Sequence, residues 1–327
     1  MNSKFITILA LLTLPFLLFA ASCAHKEYIQ TEGMVWNTTY HITYESSRDL
    51  NDSILAELKA VEMSVSAFTE NSVVSRINRN ETQKTDSTFQ VVYNKALEIN
   101  RLSEGAFDPT LAPLINAYGF GFKEEQMPDS LAVDSILQYV GIQKTRLVKG
   151  RLLKDNPLTE FNFSALAKGY GCDRVAEMFR RNGVVNFMIE IGGELALSGM
   201  NASGELWHIS IDKPVFTNNQ EVHDSQMVVS LSDCGMATSG NYRNFKEVDG
   251  QRIAHTIDPF TGRPAQTDIL SATVIAPTCM EADALATACM SMGSVKAKAM
   301  LKRLPEVSVM FVLSDGTIYT SQNFPGE

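Results

Sequence analysis

The chain has 327 residues, 45% hydrophobic and 20% charged, which is the composition of a folded globular protein and excludes a largely disordered one. Its 28 Lys+Arg against 37 Asp+Glu leave a formal net charge of -9, with no dense basic run. Nucleic acid is therefore not an expected partner, because affinity for it rests on neutralising phosphates, and any anionic ligand must be held by backbone dipoles, a metal or a few local basic side chains.

Lys4, the apolar stretch Phe5 to Ala20 and then Ala20-Ala21-Ser22-Cys23 have the layout of an export signal. The cysteine after Ala-Ala-Ser resembles a bacterial lipoprotein processing site. The expected division is a signal peptide over 1–22, a lipid-anchored tether over 23–35 beginning at Cys23, and a folded domain over 36–327. The apolar stretch is short for a membrane span, and no later segment supplies the ~20 apolar residues that a span needs.

Thr39 to Tyr44 is β-branched and aromatic and predicts a strand. Asp52 to Val65 and Phe89 to Leu102 carry apolar residues at helical spacing, the second stopped by Gly105. Leu131 to Val140 predicts a short helix and Thr145 to Lys154 a hairpin about Lys149-Gly150. Phe161 to Phe163 reads as the end of a strand running into a helix over Ala165 to Asn182. Strands are expected at Asn186 to Ile191, Leu206 to Ile211, Leu270 to Ala276 and Val307 to Leu313, with a surface loop over Thr217 to Asp224 and a helix over Glu281 to Met292. Mixed helices and strands with hairpins favour an α+β fold with one mixed sheet, in a single domain.

Familiar site motifs are missing. There is no Gly-x-x-x-x-Gly-Lys loop, Gly-x-Gly-x-x-Gly turn, His-Glu-x-x-His or Gly-x-Ser-x-Gly. Ser164 and Lys168 are one residue too far apart for a Ser-x-x-Lys pair. Cys172, Cys234, Cys279 and Cys289 form no Cys-x-x-Cys and suit buried small hydrophobes, although export would permit disulfides.

Asp283 and Thr287 lie four apart in a helical run, so both oxygens share a face. They suit a hard cation such as Mg²⁺, or equally a helix cap and a packed threonine. Asn162 to Gly171 turns a strand into a helix, where free backbone groups and Lys168 can meet phosphate, or where a capped helix simply exposes a lysine. The Ser103 to Thr110 turn, Glu190-Ile-Gly-Gly-Glu194 and Ala237 to Arg243 bring glycines, carboxylates and donors close to a possible ligand. His255 stands beside the Asp258-Pro259 turn, alone among five histidines in such a setting.

Six of these segments, in this order, resemble the ApbE family of FAD:protein FMN transferases: 103–114, 162–170, 190–194, 237–243, 255–264 and 282–287. The resemblance implies the domain type called a T-fold and FAD as substrate. It implies Mg²⁺ as cofactor and transfer of FMN to a threonine or serine of an acceptor protein, with release of AMP. It further implies acceptors that are flavoprotein subunits of membrane redox complexes, and an exported, lipid-anchored enzyme. Asp283, Thr287 and the carbonyl of Ala165 match its magnesium ligands. Phe68, Ala106, Phe107, Asp108, Asn162, Lys168 and Ile257 match positions that contact FAD. Trp36-Asn37-Thr38 stands where the family reads Met-Gly-Thr, and Trp36 offers a ring for stacking. His255, with Asp258 as second choice, is the candidate base for the incoming hydroxyl. The same site with water as nucleophile would be an FAD pyrophosphatase, and without turnover a flavin-binding lipoprotein.

Overall fold

The structure, a computed structural model, describes residues 26–120, 127–213, 225–240, 245–248, 251–254 and 256–326, with backbone only for 245–248 and 251–254. Cys23, His255 and the 217–224 loop lie outside the described residues, as do Asn241 to Arg243. In chain order the strands are β1 (Glu27–Val35), β2 (Thr38–Ser46), β3 (Thr145–Val148), β4 (Arg151–Lys154), β5 (Phe187–Ile191), β6 (Glu194–Ser198), β7 (Trp207–Asp212), β8 (Ser225–Leu231), β9 (Cys234–Gly240), β10 (Phe245–Val248), β11 (Gln251–Ala254), β12 (Ile269–Ala276), β13 (Ser308–Leu313) and β14 (Ile318–Thr320). The helices are α1 (Asn51–Val65), α2 (Val73–Asn78), α3 (Ser87–Leu102), α4 (Ala112–Ala117), α5 (Ser130–Leu137), α6 (Ser164–Arg181), α7 (Cys279–Met292) and α8 (Ser294–Leu301).

Eight strands form one antiparallel sheet in the order β1-β2-β5-β6-β9-β12-β13-β14. Strand alternation sorts its side chains by face. Ala237, Ala272, Val274, Val309 and Phe311 join the core beneath α3, α6 and α7, while Leu195, Leu197, Met236, Ile275 and Met310 pack under the β7–β8 hairpin. The result is the expected α+β domain: helices cover one face and a two-stranded flap the other. Among the described residues no helix is long and apolar enough to cross a membrane.

Three expectations need correction. The tether over 23–35 is too long, because Glu27 to Val35 pair with β2 along their whole length, from Glu27↔Ser46 to Val35↔Thr38. The strand is polar and largely solvent-facing because it forms the sheet's edge, where one face and one side meet water. Phe161 to Phe163 are not strand. They lead into α6, Phe163 at φ -95° and ψ 13°, with both rings fully buried and stacked 5.5 Å apart, each ring contributing about 1.5–3 kcal/mol by burial. Ala237 to Gly240 are not a turn but half of β9, near the middle of the sheet, where small residues leave room for a helix above.

That helix is α7, and its first turn is wedged between two glycines. A Cβ on Gly169 of α6 would lie 2.4 Å from the Cys279 carbonyl oxygen, and one on Gly235 of β9 would lie 2.2 Å from the Cys279 nitrogen. Neither neighbour can yield, since both are backbone. Gly169→Ala and Gly235→Ala are each expected to lower unfolding free energy by about 1–3 kcal/mol through forced displacement of α7. Urea titration of both variants measures this, and midpoints equal to wild type would show that the wedge is not tight.

Candidate active site

Asp173, on α6, accepts the N–H groups of Cys279 and Met280, both at 2.9 Å, so a side chain 106 residues away caps the start of α7. Thr278 completes the cap by accepting the Glu281 N–H. Burial pushes the Asp173 carboxyl up to about 6, against the pull of those two N–H groups and of Arg180.

One turn into α7, Asp283 is 3% exposed and its Oδ2 accepts the Gly169 N–H at 3.1 Å. In an α-helix the N–H of residue 169 faces the carbonyl of residue 165. The Asp283 carboxylate therefore meets α6 one turn after Ala165. One turn further on, Thr287 is half-buried, its Oγ1 3.3 Å from Ser239 Oγ on β9. The start of α6 is set by Asn162, whose Oδ1 accepts the Ser164 N–H at 2.9 Å and whose own N–H bonds to Pro109.

Lys168 reaches across to the β5–β6 turn. Its Nζ donates to Glu194 Oε2 at 2.5 Å and to the Gly192 carbonyl at 3.4 Å. Burial raises the Glu194 and Asp283 carboxyls, and Lys168 pulls both down. Burial likewise works against the Lys168 charge, but Glu194 and Asp283 outweigh it and hold the ammonium above its ordinary range. Two buried carboxyls thus face one ammonium, and because burial raises both, added positive charge at this set, as a proton or a cation, is favoured. The donor set fits magnesium: a carboxylate, a hydroxyl and a carbonyl are all hard oxygens. Among the described residues no group of three His, Cys, Asp or Glu forms a more conventional metal cluster.

Ser291 continues the Asp283–Thr287 stripe by one more turn. Its Oγ is buried without a hydrogen-bond partner among the described residues. It lines a cavity of about 450 Å³ whose walls include Glu104, Ala106, Asp258, Phe260, Lys296 and Arg303. Ala106 and Asp258, both singled out from sequence, meet here. Asp258 Oδ1 accepts the Phe260 N–H at 2.8 Å, so the carboxylate also shapes its own turn.

The other expected ligand contacts are placed differently. Phe107 is 2% exposed, with its ring in the main core. Asp108 spends its carboxylate on Thr110, Ile142 and Asn100. Ile257 packs with Leu111, Leu114 and Val133. Phe107 also has both main-chain groups bonded, its N–H to Ser103 Oγ and its carbonyl to the Asn100 side chain. Phe68 is 53% exposed in the turn after α1. Trp36 is half-buried, with one edge of its ring over Gly171 of α6, where a Cβ would come within 2.5 Å of it. It reaches there because Trp36 and Asn37 take φ of +51° and +61°, the two-residue turn that closes β1 on β2. Ser291 and Asp173 were not marked out by sequence, and Glu194 and Ser239 lay in segments that were, without a role of their own. Ser291 had a readable signal, the four-residue spacing from Thr287; Asp173 had none, because its partners are remote in the chain.

The four cysteines among the described residues are free thiols, and burial pushes those of Cys234 and Cys289 up to about 11 and about 12, out of the reactive range.

Fold and site together define an α+β protein in which a buried carboxylate, Asp283, links α7 to α6, with a polar cleft along the same helix. Residues 36–311 match the model of the ApbE family. A Haemophilus influenzae protein named FAD:protein FMN transferase is 34% identical, the similarity covering 93% of this chain and 92% of that protein. One of the same name from Vibrio cholerae is 35% identical over 96% of this chain and 97% of its own. The solved flavin transferase ApbE from Vibrio cholerae superposes with a TM-score of 0.82 at 33% identity, over 92% of this chain and 99% of that one. The chain belongs to the ApbE family.

Asp173→Ala strands two N–H groups at the start of α7 and is expected to lower stability by about 1–3 kcal/mol. Asp173→Asn, which keeps one acceptor, should lose about half as much. Guanidinium unfolding compares them, and no difference between Ala and wild type would remove Asp173 as the cap.

Proposed function

We propose that the protein transfers FMN from FAD to a threonine or serine hydroxyl of an acceptor protein, in a magnesium-dependent reaction that releases AMP. What supports this reading is that Asp283 and Thr287 lie one helical turn apart on α7, that the buried Asp283 carboxylate accepts the Gly169 N–H one turn after Ala165 on α6, and that Lys168 and Glu194 lie close by. Bound magnesium would supply charge neutralisation at the diphosphate while the bond to AMP breaks. Asp283 and Thr287 fix its place from a helix that the α6 and β9 glycines hold rigid. Lys168 adds a cation to the same face. The cavity at Ser291 and Ala106 accommodates one half of the dinucleotide.

The acceptor hydroxyl oxygen forms the new bond to the FMN phosphorus, the phosphorus–oxygen bond to AMP breaks, and the hydroxyl proton passes to His255. A base in this role contributes about 10²–10⁴-fold. Asp258 is the weaker choice, because its Oδ1 is bound to the Phe260 N–H.

Flavinylation of an added acceptor domain, followed by intact mass and by AMP release, tests the reading. Wild type with FAD and Mg²⁺ should add FMN to the acceptor. Asp283→Ala should lose the metal-dependent turnover, and His255→Ala should bind FAD yet transfer about 10²–10⁴-fold more slowly. FMN and AMP released with no modified protein would favour the hydrolytic reaction instead, and an Asp283→Ala enzyme active without metal would overturn the metal assignment.

We further propose that Cys23 carries the lipid anchor and that the enzyme works on the outer side of the membrane. Since β1 starts at Glu27, the chain between lipid and fold spans at most about 14 Å. Acceptors are then membrane-bound subunits presenting their hydroxyl close to the bilayer. Cys23→Ser should move the protein from the membrane to the soluble fraction; continued membrane residence would exclude the anchor.

A further inference from the structure

Lys168 has two carboxylates in electrostatic reach, Glu194 and Asp283, and it is bonded to the one outside the expected metal ligands. The local architecture fixes that choice. Gly192, at φ +59°, folds the β5–β6 turn over the lysine stem so closely that a Cβ there would lie 3.3 Å from Lys168 Cδ. Glu194 is the first residue of β6, which is paired on both sides, opposite Ile191 of β5 at this position and with β9 further along. At 4% exposure it has no route to solvent, so its carboxylate stays where the turn ends.

Asp283 is tied less firmly. Among the described residues it accepts one hydrogen bond, from the Gly169 N–H. Were Glu194 neutral or absent, Lys168 would be a largely buried ammonium with Asp283 as its remaining carboxylate. Opposite charges in a poorly solvated site attract strongly, and the lysine stem emerges from the same α6 turn that holds Gly169. The ammonium would settle on Asp283 and compete for the oxygens that a divalent cation needs.

We propose that Glu194 is a positioning residue that holds the Lys168 ammonium off Asp283 and so keeps that carboxylate open to the metal. The inference rests on the reading of Asp283 as a magnesium ligand. The second carboxylate of the Gly-Gly-Glu turn thereby makes Lys168 a neighbour of the cation site rather than its occupant.

The test is Mn²⁺ binding followed by electron paramagnetic resonance, with each protein saturated with FAD and its folding checked by thermal melting. Glu194→Ala should raise the half-saturating Mn²⁺ concentration roughly 10- to 100-fold, the range for loss of a residue that supports a metal ligand. Glu194→Gln, which keeps the shape and one acceptor, should show a smaller rise and covers the case in which the alanine variant does not fold. The deciding protein is Lys168→Met/Glu194→Ala. With no ammonium left to compete, its metal affinity should return toward wild type, a rescue that a merely structural role for Glu194 does not produce. Single variants that bind Mn²⁺ as wild type does, or a double variant as weak as Glu194→Ala, would overturn the inference while leaving the metal site in place. Wild type that takes up no Mn²⁺ would instead overturn the metal reading, and this inference with it.

Discussion

Everything at the site depends on how closely the first turn of α7 approaches the layer beneath and the helix beside it. Two glycines remove the side chains that would hold it away, and Asp173 answers the N–H groups that the approach would otherwise strand. A helix N-terminus wedged between backbone on two sides has little freedom to rotate. Asp283 and Thr287, one and two turns in, inherit that rigidity, and so does the distance between α7 and the first turn of α6. Rigid elements hold a constellation more accurately than loops do. Here the ligand-bearing residues sit on two crossed helices rather than on the loops at the rim.

The electrostatics follow from the same geometry. Bringing α6 and α7 together buries Asp283, and closing the β5–β6 turn over Lys168 buries Glu194 nearby. Burial raises both carboxyls around the single ammonium, so added positive charge is favoured there. On the magnesium reading, a diphosphate would bring the cation with its own counter-charge, and one carboxylate among three expected protein ligands would suffice. Magnesium shared with substrate phosphate needs fewer protein charges than magnesium held by protein alone.

Legibility in the sequence divides along the range of the interaction. Local periodicity shows α1, α3, α6 and α7, and the four-residue spacing of Asp283 and Thr287 is visible because a helix makes it so. Six short segments in a fixed order were enough to point to the family. What sequence hid was long-range. The edge strand β1 looks like a tether because its alternation is weak and polar, and only its pairing with β2 declares it. Residues 237–240 look like a turn because the small side chains that admit α7 are also those that favour turns. Nothing local shows that α6 presents Gly171 beneath an edge of the Trp36 ring. Nor does local sequence show that the side chains of Phe107, Asp108 and Ile257 serve the core and the turns.

The stripe along α7 joins the two parts of the cleft. Asp283, Thr287 and Ser291 recur every fourth residue, which advances them about 6 Å per step with a slow drift around the helix. The first two face α6 and β9; the third opens into the cavity beside Ala106 and Asp258. If the proposed function holds, one helix face would carry the cation ligands at one end and a polar wall for the remaining nucleotide at the other. A dinucleotide is suited to such a surface, because its charge is concentrated at a central diphosphate with neutral groups to either side. The cation end would then hold the diphosphate, and the cavity end would receive whichever half of the molecule lies along the helix.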